Sequence, residues 1–352
     1  MSTLELMVKA RTATTGVCGG PWLKYLVSSI SVNQAGQAFL NAAPPQAFQS
    51  AAYYKTGRMP RQGYDVMGGS AAEVVMDCPI LLGNHLNDMD HTIDLAKLND
   101  PKLSVTYNLA TTGPNGETVW DTTYKPRFTV IAHLLQGGGI PPSKGHLSLR
   151  QIESYTPVNS EVHKLELKGG RPIKRIYLAL DKTSPHFGWV HSASEIKLWG
   201  DNEAWVPFIQ KIDDWYELIR THYGLCRVNA YIWYVKGGVD VDTQVDKRVY
   251  LNAQSQSQTS LHKTLGGSGR TVRVYEILIS DATQPSNVLS SQYDFVGYVP
   301  WTTGVIDMEK MLGLEYLDPA LHAPLILELA HVSNAAAIGG PVRIYIEDLV
   351  TA

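Results

Sequence analysis

The sequence predicts an all-β fold with one or few helices, built as two tandem β-sandwich domains. Three observations carry that expectation. Strand-forming runs recur along the whole chain, a single stretch shows a full amphipathic helix stripe, and the two halves end on the same succession of elements. A length of 352 residues suits two domains of ordinary size.

The strands come first. Leu103-Ser104-Val105-Thr106-Tyr107-Asn108-Leu109 alternates apolar and polar residues, as a half-buried strand does. Residues 4–9 alternate more weakly, and 22–32 are rich in β-branched and aromatic side chains. Comparable runs are 127–135, 162–167, 173–180, 195–199, 230–235, 272–279, 325–329 and 342–349. Clusters of Gly, Pro, Asn, Asp and Ser separate them and mark turns. The helix is expected over 207–223. Phe208, Ile209, Ile212, Trp215, Tyr216 and Ile219 line one face, Pro207 suits a first helical position, and Gly224 suits the stop. A second helical candidate, 35–54, is cut into short pieces by Pro44-Pro45.

The division between domains falls in Gln136-Gly137-Gly138-Gly139-Ile140-Pro141-Pro142-Ser143-Lys144-Gly145, which has no apolar pattern. It gives a first domain over 1–140 and a second over 141–352. Before this linker stand Leu98-Asn99-Asp100-Pro101, an alternating strand, a polar connection and a closing strand at 127–134. At the C-terminus stand Leu317-Asp318-Pro319, the strand 325–329, a polar connection and the closing strand 342–348. Asp-Pro stops what precedes it, because the residue before proline is pushed out of the α region. The matched endings point to a duplicated sandwich. Eight-stranded jelly rolls accommodate long cross-connections between their sheets, and the second half has two: 236–270, mostly polar, and 280–312. Residues 245–251 and 293–299 each hold enough β-formers for a short strand, so both excursions are expected to be partly ordered by one another or by a neighbouring subunit.

Composition excludes several function classes. Lys plus Arg is 30 against 33 for Asp plus Glu, so the cationic excess that phosphate-backbone binding needs is missing. Charged residues make up 18% of the chain, below the usual quarter, which suits surface destined for subunit contacts. Cys18, Cys78 and Cys226 lie too far apart for a zinc knuckle and read as reduced thiols. The first residues have no signal-peptide pattern, and no apolar run is long enough to span a bilayer. A protein made in a reducing cytoplasm is expected.

Candidate chemistry is sparse. Asn84-His85-Leu86-Asn87-Asp88-Met89-Asp90-His91-Thr92-Ile93-Asp94 is the densest polar cluster, and Asp88 with Asp90 is the weak candidate for a structural calcium. It lacks the HExxH pattern and the glycine and closing glutamate of an EF-hand loop, so a solvated connection is the ordinary reading. Gly266-Gly267-Ser268-Gly269-Arg270 opens a strand and has no Lys-Ser/Thr, so it is no phosphate loop. No GxSxG elbow occurs. Asp213 and Asp214, near His186 and His191 in sequence, are adjacent on a helix and point about 100° apart, which rules them out as a facing glycosidase pair. Trp189, Trp199, Trp205, Trp215 and Trp233 suit aromatic core packing, or a sugar platform. No catalytic residue and no cofactor is expected.

In Ile173-Lys174-Arg175-Ile176-Tyr177-Leu178-Ala179-Leu180, in Glu195-Ile196-Lys197-Leu198-Trp199-Gly200-Asp201-Asn202 with the helix after it, and in the paired Asp-Pro endings, the chain resembles the double jelly-roll major capsid proteins of tailless icosahedral viruses, the tectivirus-like and adenovirus-like lineage. The likeness is one of layout, over 81–135 and 146–349. It implies a non-enzymatic homotrimer of six jelly rolls, a pseudo-hexagonal capsomer with outward tower loops, in a bacteriophage-like virion. The implied partners are neighbouring capsomers, penton and minor capsid proteins and an internal virion membrane, without sequence-specific nucleic acid binding. Synthesis in a host cytoplasm follows from the same resemblance. The alternative is a carbohydrate-binding or carbohydrate-active β-sandwich protein with its rim on the loops from Lys236 onward.

Overall fold

The computed structural model describes residues 1–13, 22–34, 37–61, 65–66, 71–94, 100–113, 116–135, 143–168, 170–182, 191–233, 239–242, 245–246, 250–255, 260–265, 271–278 and 290–351. The first part of the chain forms β1 (Thr3–Arg11), β2 (Val27–Gln34), β3 (Gln37–Ala43), helix α1 (Pro45–Thr56), β4 (Asp65–Val66), β5 (Glu73–Leu81), β6 (Lys102–Tyr107) and β7 (Arg127–His133). Then follow β8 (His146–Tyr155), β9 (Val162–Glu166), β10 (Ile173–Lys182), β11 (Ala193–Gly200), β12 (Trp205–Lys211) and α2 (Ile212–Tyr223). Next come β13 (Cys226–Trp233), β14 (Val239–Asp242), β15 (Val245–Asp246), β16 (Tyr250–Ser255), β17 (Ser260–Leu265), β18 (Thr271–Leu278), β19 (Ser290–Gly297) and β20 (Val299–Pro300). The chain closes with β21 (Thr303–Asp307), α3 (Met308–Leu312), β22 (Ile326–His331), α4 (Ala335–Ile338) and β23 (Gly339–Val350).

The later strands make two four-stranded sheets, ordered β21-β10-β23-β8 and β12-β11-β22-β9. All their pairings are antiparallel, with the first strand on the last, β8 on β23, and the second on the second-last, β9 on β22. This nesting of strands from the two ends of a segment is the jelly-roll pattern. The earlier part repeats the rule: β1 pairs with β7 and β2 with β6. Its sheets are three-stranded among the described residues, ordered β5-β1-β7 and β3-β2-β6. The two alternating stretches read as equivalent, 103–109 and 325–329, thus both fall on second-last strands. They differ in position, because β6 is an edge strand and β22 an inner one.

Alternation explains why these strands face as they do. In β1, Leu4, Leu6, Val8 and Ala10 point inward, opposite Ile80, Cys78, Met76 and Val74 of β5. Strand β10 is buried on both faces, which is why Ile176 to Leu180 is apolar without interruption. The buried apolar side chains of both parts form one continuous cluster.

Helix α1 corrects the sequence reading. Pro44-Pro45 does not divide a helix; Pro44 is its N-cap and Pro45 its first residue, and Gly57 ends it at φ 72°. Nearly every side chain from Ala47 to Tyr54 is buried, so α1 carries no polar face and gave no stripe to read. The helix expected over 207–223 begins only at Ile212. Residues 205–211 form β12, whose Phe208 points inward opposite Leu198. The proline at 207 is tolerated because β12 is an outer strand. From Ile212 on, the predicted stripe holds: Ile212, Trp215, Tyr216 and Ile219 are buried while Asp213 and Asp214 are exposed.

The two expected excursions are one. Everything from β13 to β20 lies between β12 and β21, and residues 303–312 return to the sandwich as β21 and α3. Within the insertion β16 pairs with β19, setting Leu251 opposite Phe295, and β15 pairs with β20. Strands β14, β18 and β17 form a further sheet. The linker residues 136–142, Cys18, His186, Trp189 and the 266–270 segment lie outside the described residues.

Helix α2 is seated on β21 by Trp215, whose indole N–H donates to the Val305 carbonyl at 2.9 Å. A Cβ on Gly304 would lie 2.3 Å from Trp215 Cη2, so the close approach requires glycine there. Trp215→Ala is expected to cost about 3–5 kcal/mol through lost burial and a cavity. Gly304→Ala should destabilise as well, by overpacking. Chemical denaturation of the two variants checks both expectations. A Trp215→Ala protein of unchanged stability overturns this account of the α2 face.

Candidate functional site

The most distinctive polar feature is a network of charges buried where the two parts of the chain meet. Arg175, the third residue of β10, donates from Nε to Asp307 Oδ2 at 2.6 Å and from Nη1 to Glu347 Oε2 at 2.8 Å. Glu347 lies directly across the sheet on β23. Its other oxygen pairs with Lys55 of α1, which also donates to the Leu81 carbonyl at 3.0 Å. Tyr223, the last residue of α2, donates to Asp307 at 2.6 Å, and Tyr177 to Glu347 at 3.3 Å. Two cations and two carboxylates therefore balance, with hydroxyls filling remaining acceptor positions. Balance is necessary, since an unpaired ion in such a place costs several kcal/mol.

The loop singled out from sequence joins this network. Asn84 Oδ1 accepts from both terminal nitrogens of Arg175 at 3.3 Å. Asp88 folds the loop: Oδ2 accepts from the Asn84 N–H at 2.8 Å, and Oδ1 from the Asp90 N–H at 3.0 Å. Asp88 also meets His91 Nδ1 at 2.9 Å, and His91 Nε2 lies 2.7 Å from Tyr316 Oη. Asp90 turns to Lys144 instead, 3.3 Å away. The two proposed calcium ligands thus have different side-chain partners, His91 for Asp88 and Lys144 for Asp90. Among the described residues no three His, Cys, Asp or Glu side chains are grouped to hold a metal ion.

The electrostatics follow from position. Burial pushes the Glu347 carboxyl up, but Lys55 and Arg175 outweigh it and hold the group below its ordinary range. Asp307 shows the same contest, settled downward by Arg175, the Tyr223 hydroxyl and the Lys310 N–H. Asp88 is lowered against burial by the backbone N–H of Asn84 and by His91. Asp348 goes the other way: burial raises it despite Arg150, 2.8 Å away.

The other sequence candidates disperse. Asp213 and Asp214 are exposed on the first turn of α2, where their charge suits the positive helix end. His191 is buried edge-on against Tyr216. Trp199 is buried, donates to Glu328 at 3.2 Å and lies beneath Lys164 and Lys197. Trp205 stacks on His322 at 3.7 Å. Trp215 is in the core. These three rings form no shared platform. Lys55, Arg175, Asp307 and Glu347 were missed. The available signal was charge within strand-forming runs, Lys174-Arg175 in one and Glu347-Asp348 in the other.

Two β-sandwiches with first-to-last and second-to-second-last pairing, joined through a buried ion network, are the architecture to compare with known proteins. No protein-family model and no curated protein sequence matches the chain. A crystal structure of the major capsid protein of STIV superposes with a TM-score of 0.59 at 10% identity, covering 99% of this chain and 88% of that one. A chain from an atomic structure of Sulfolobus turreted icosahedral virus gives 0.56 at 10% identity, covering 99% and 82%. The chain has the double jelly-roll fold. In a double jelly roll the contact between the rolls is a structural element in its own right, and here the buried ion network occupies it.

Glu347→Gln leaves the buried Lys55 charge uncompensated and is expected to destabilise by about 3–5 kcal/mol. The pH dependence has a definite sign. A carboxyl lowered in the native state adds stability that is complete above its unfolded value, about 4, and lost as pH falls through its native value. Thermal unfolding between about pH 6 and pH 2 should therefore show a shallower acid loss in Glu347→Gln than in the wild type. Equal acid slopes would mean that Glu347 does not carry this share.

Proposed function

We propose that this protein is a major capsid protein whose shell-forming unit is a homotrimer, a pseudo-hexagonal capsomer made of six jelly rolls. The observation that carries the reading is the likeness to the STIV major capsid protein over 99% of this chain, with both sandwiches included. The sparse charge, 18% of residues, supports it, since subunit-facing surface is depleted of charge. So do apolar residues left exposed on outer strands: Val130 and Ile131 on β7, Val162 on β9, and Val206 and Ile209 on β12. In this reading residues 1–140 are the first roll and 141–352 the second, and the role is structural, without catalysis. The insertion between β12 and β21 forms the tower on the outer face. Neighbouring capsomers, penton and minor capsid proteins and an internal virion membrane are its partners, and the virion is its location.

Light scattering after size-exclusion chromatography tests the reading. The expected mass is three times the 38.8 kDa of one chain, with interfaces above about 2,000 Å² each. A monodisperse 38.8 kDa species at micromolar concentration counts decisively against it. Negative-stain images of the same material should show pseudo-hexagonal particles.

A further inference from the structure

A cavity of about 310 Å³ opens between the two sandwiches, away from the buried ion network. Lys24, Ser28 and Gln46 line it from the first part of the chain, Gln151 and Arg343 from the second. Among the described residues, none that lines it is acidic. We propose that it binds a small oxyanion of the phosphate class, as hydrogen phosphate or as a phosphate monoester carrying a small hydroxylated group.

The two cations are held in place by the walls. Lys24 Nζ lies 4.5 Å from the Tyr25 ring centre and 5.0 Å from that of Trp301. Trp301 and its neighbour Thr302 turn through positive φ, 51° and 61°, a conformation that non-glycine residues adopt only at a cost. The Thr302 hydroxyl meets Asp181 Oδ1 at 3.0 Å, and Asp181 in turn pairs with Arg343. A continuous chain of contacts thus runs from one cation to the other through a strained turn. Asp181, the carboxylate in that chain, already serves both Thr302 and Arg343.

The chemistry of the lining selects the ligand. An ammonium, a guanidinium and two carboxamides offer donors to an oxyanion. The guanidinium fork suits the spacing of phosphate oxygens. The positive end of α1 reinforces this: Pro44, its N-cap, and Gln46 both line the cavity, and no side chain caps the helix. Gln46 Oε1 is buried with no donor. An anion that also carries a hydroxyl, on phosphorus or on its ester group, supplies that donor; fully ionised phosphate and sulfate do not. The volume equals about ten waters at their liquid share of about 30 Å³, more than bare phosphate fills.

Isothermal titration of the intact protein with inorganic phosphate and with glycerol phosphate, at constant ionic strength, tests the proposal. The wild type should bind with a Kd tighter than about 1 mM, the ester at least as well as the inorganic ion. Lys24→Gln, which removes the charge but keeps a polar end, and Ser28→Asp, which places a carboxylate at the exposed mouth, should each weaken binding about tenfold or more. Sulfate should bind more weakly than phosphate. A parallel arm sediments the protein with vesicles containing phosphatidic acid, a lipid whose headgroup is a phosphate monoester. Retention that Lys24→Gln abolishes assigns the phosphate to a lipid headgroup, and binding of free esters without retention assigns it to a soluble ligand. No binding in either arm, or wild-type binding in both variants, overturns the proposal. Folding of each variant is checked by its thermal midpoint. The wild-type titrations stand whatever the variants do.

Discussion

A guanidinium buried within a strand must be neutralised where it lies, and the packing between the two sandwiches answers to that requirement. Arg175 reaches Glu347 on the next strand, Asp307 at the end of β21 and Asn84 on the loop after β5. Glu347 adds Lys55 from α1. Five elements, most of them far apart in sequence, are thereby held to one point. Hydrophobic burial supplies the bulk of the stabilisation, but it is non-directional and tolerates sliding. A buried ion network with few alternative arrangements does not. The pairing fixes how α1 lies across β10 and β23, and so sets one sandwich against the other.

Much of the fold was legible because strand alternation is a local property. Leu103 to Tyr107, Ile173 to Leu180 and Val342 to Leu349 all lie in strands, since their faces are set by burial alone. Helix α1 escaped because burial on all sides erases the stripe that marks a helix. Residues 207–211 misled for the opposite reason. Phe208 and Ile212 lie four apart and fit a helical stripe, yet Phe208 and Leu198 face each other across two strands. Which period applies is settled by the partner strand, and a single sequence does not contain it.

The polar site was less legible than the fold. The 84–94 loop drew notice for its density of His and Asp, and its Asp88 does organise it. What that loop serves is set by Arg175 and Tyr316, which lie 91 residues from Asn84 and 225 from His91. Arg175 and Glu347 face each other across β10 and β23 with opposite charge, each beside a second charged residue of its own sign. That coincidence becomes visible only once the two runs are known to be neighbours.

Strand β23 brings a last consequence. It is the final strand of the chain, yet it runs between β10 and β8 in the middle of its sheet and delivers Glu347 to Lys55 and Arg175. Contacts of such long sequence separation form late, because the intervening chain must close first. A folding polypeptide therefore keeps an open slot in its second roll, and an uncompensated lysine beneath its first, until β23 has been made and has docked. Insertion of this one strand thereby couples the closing of the second sheet to the neutralising of the buried cations. A chain without β23 lacks the strand and the counter-charge together, and presents two bare sheet edges to chaperones and proteases.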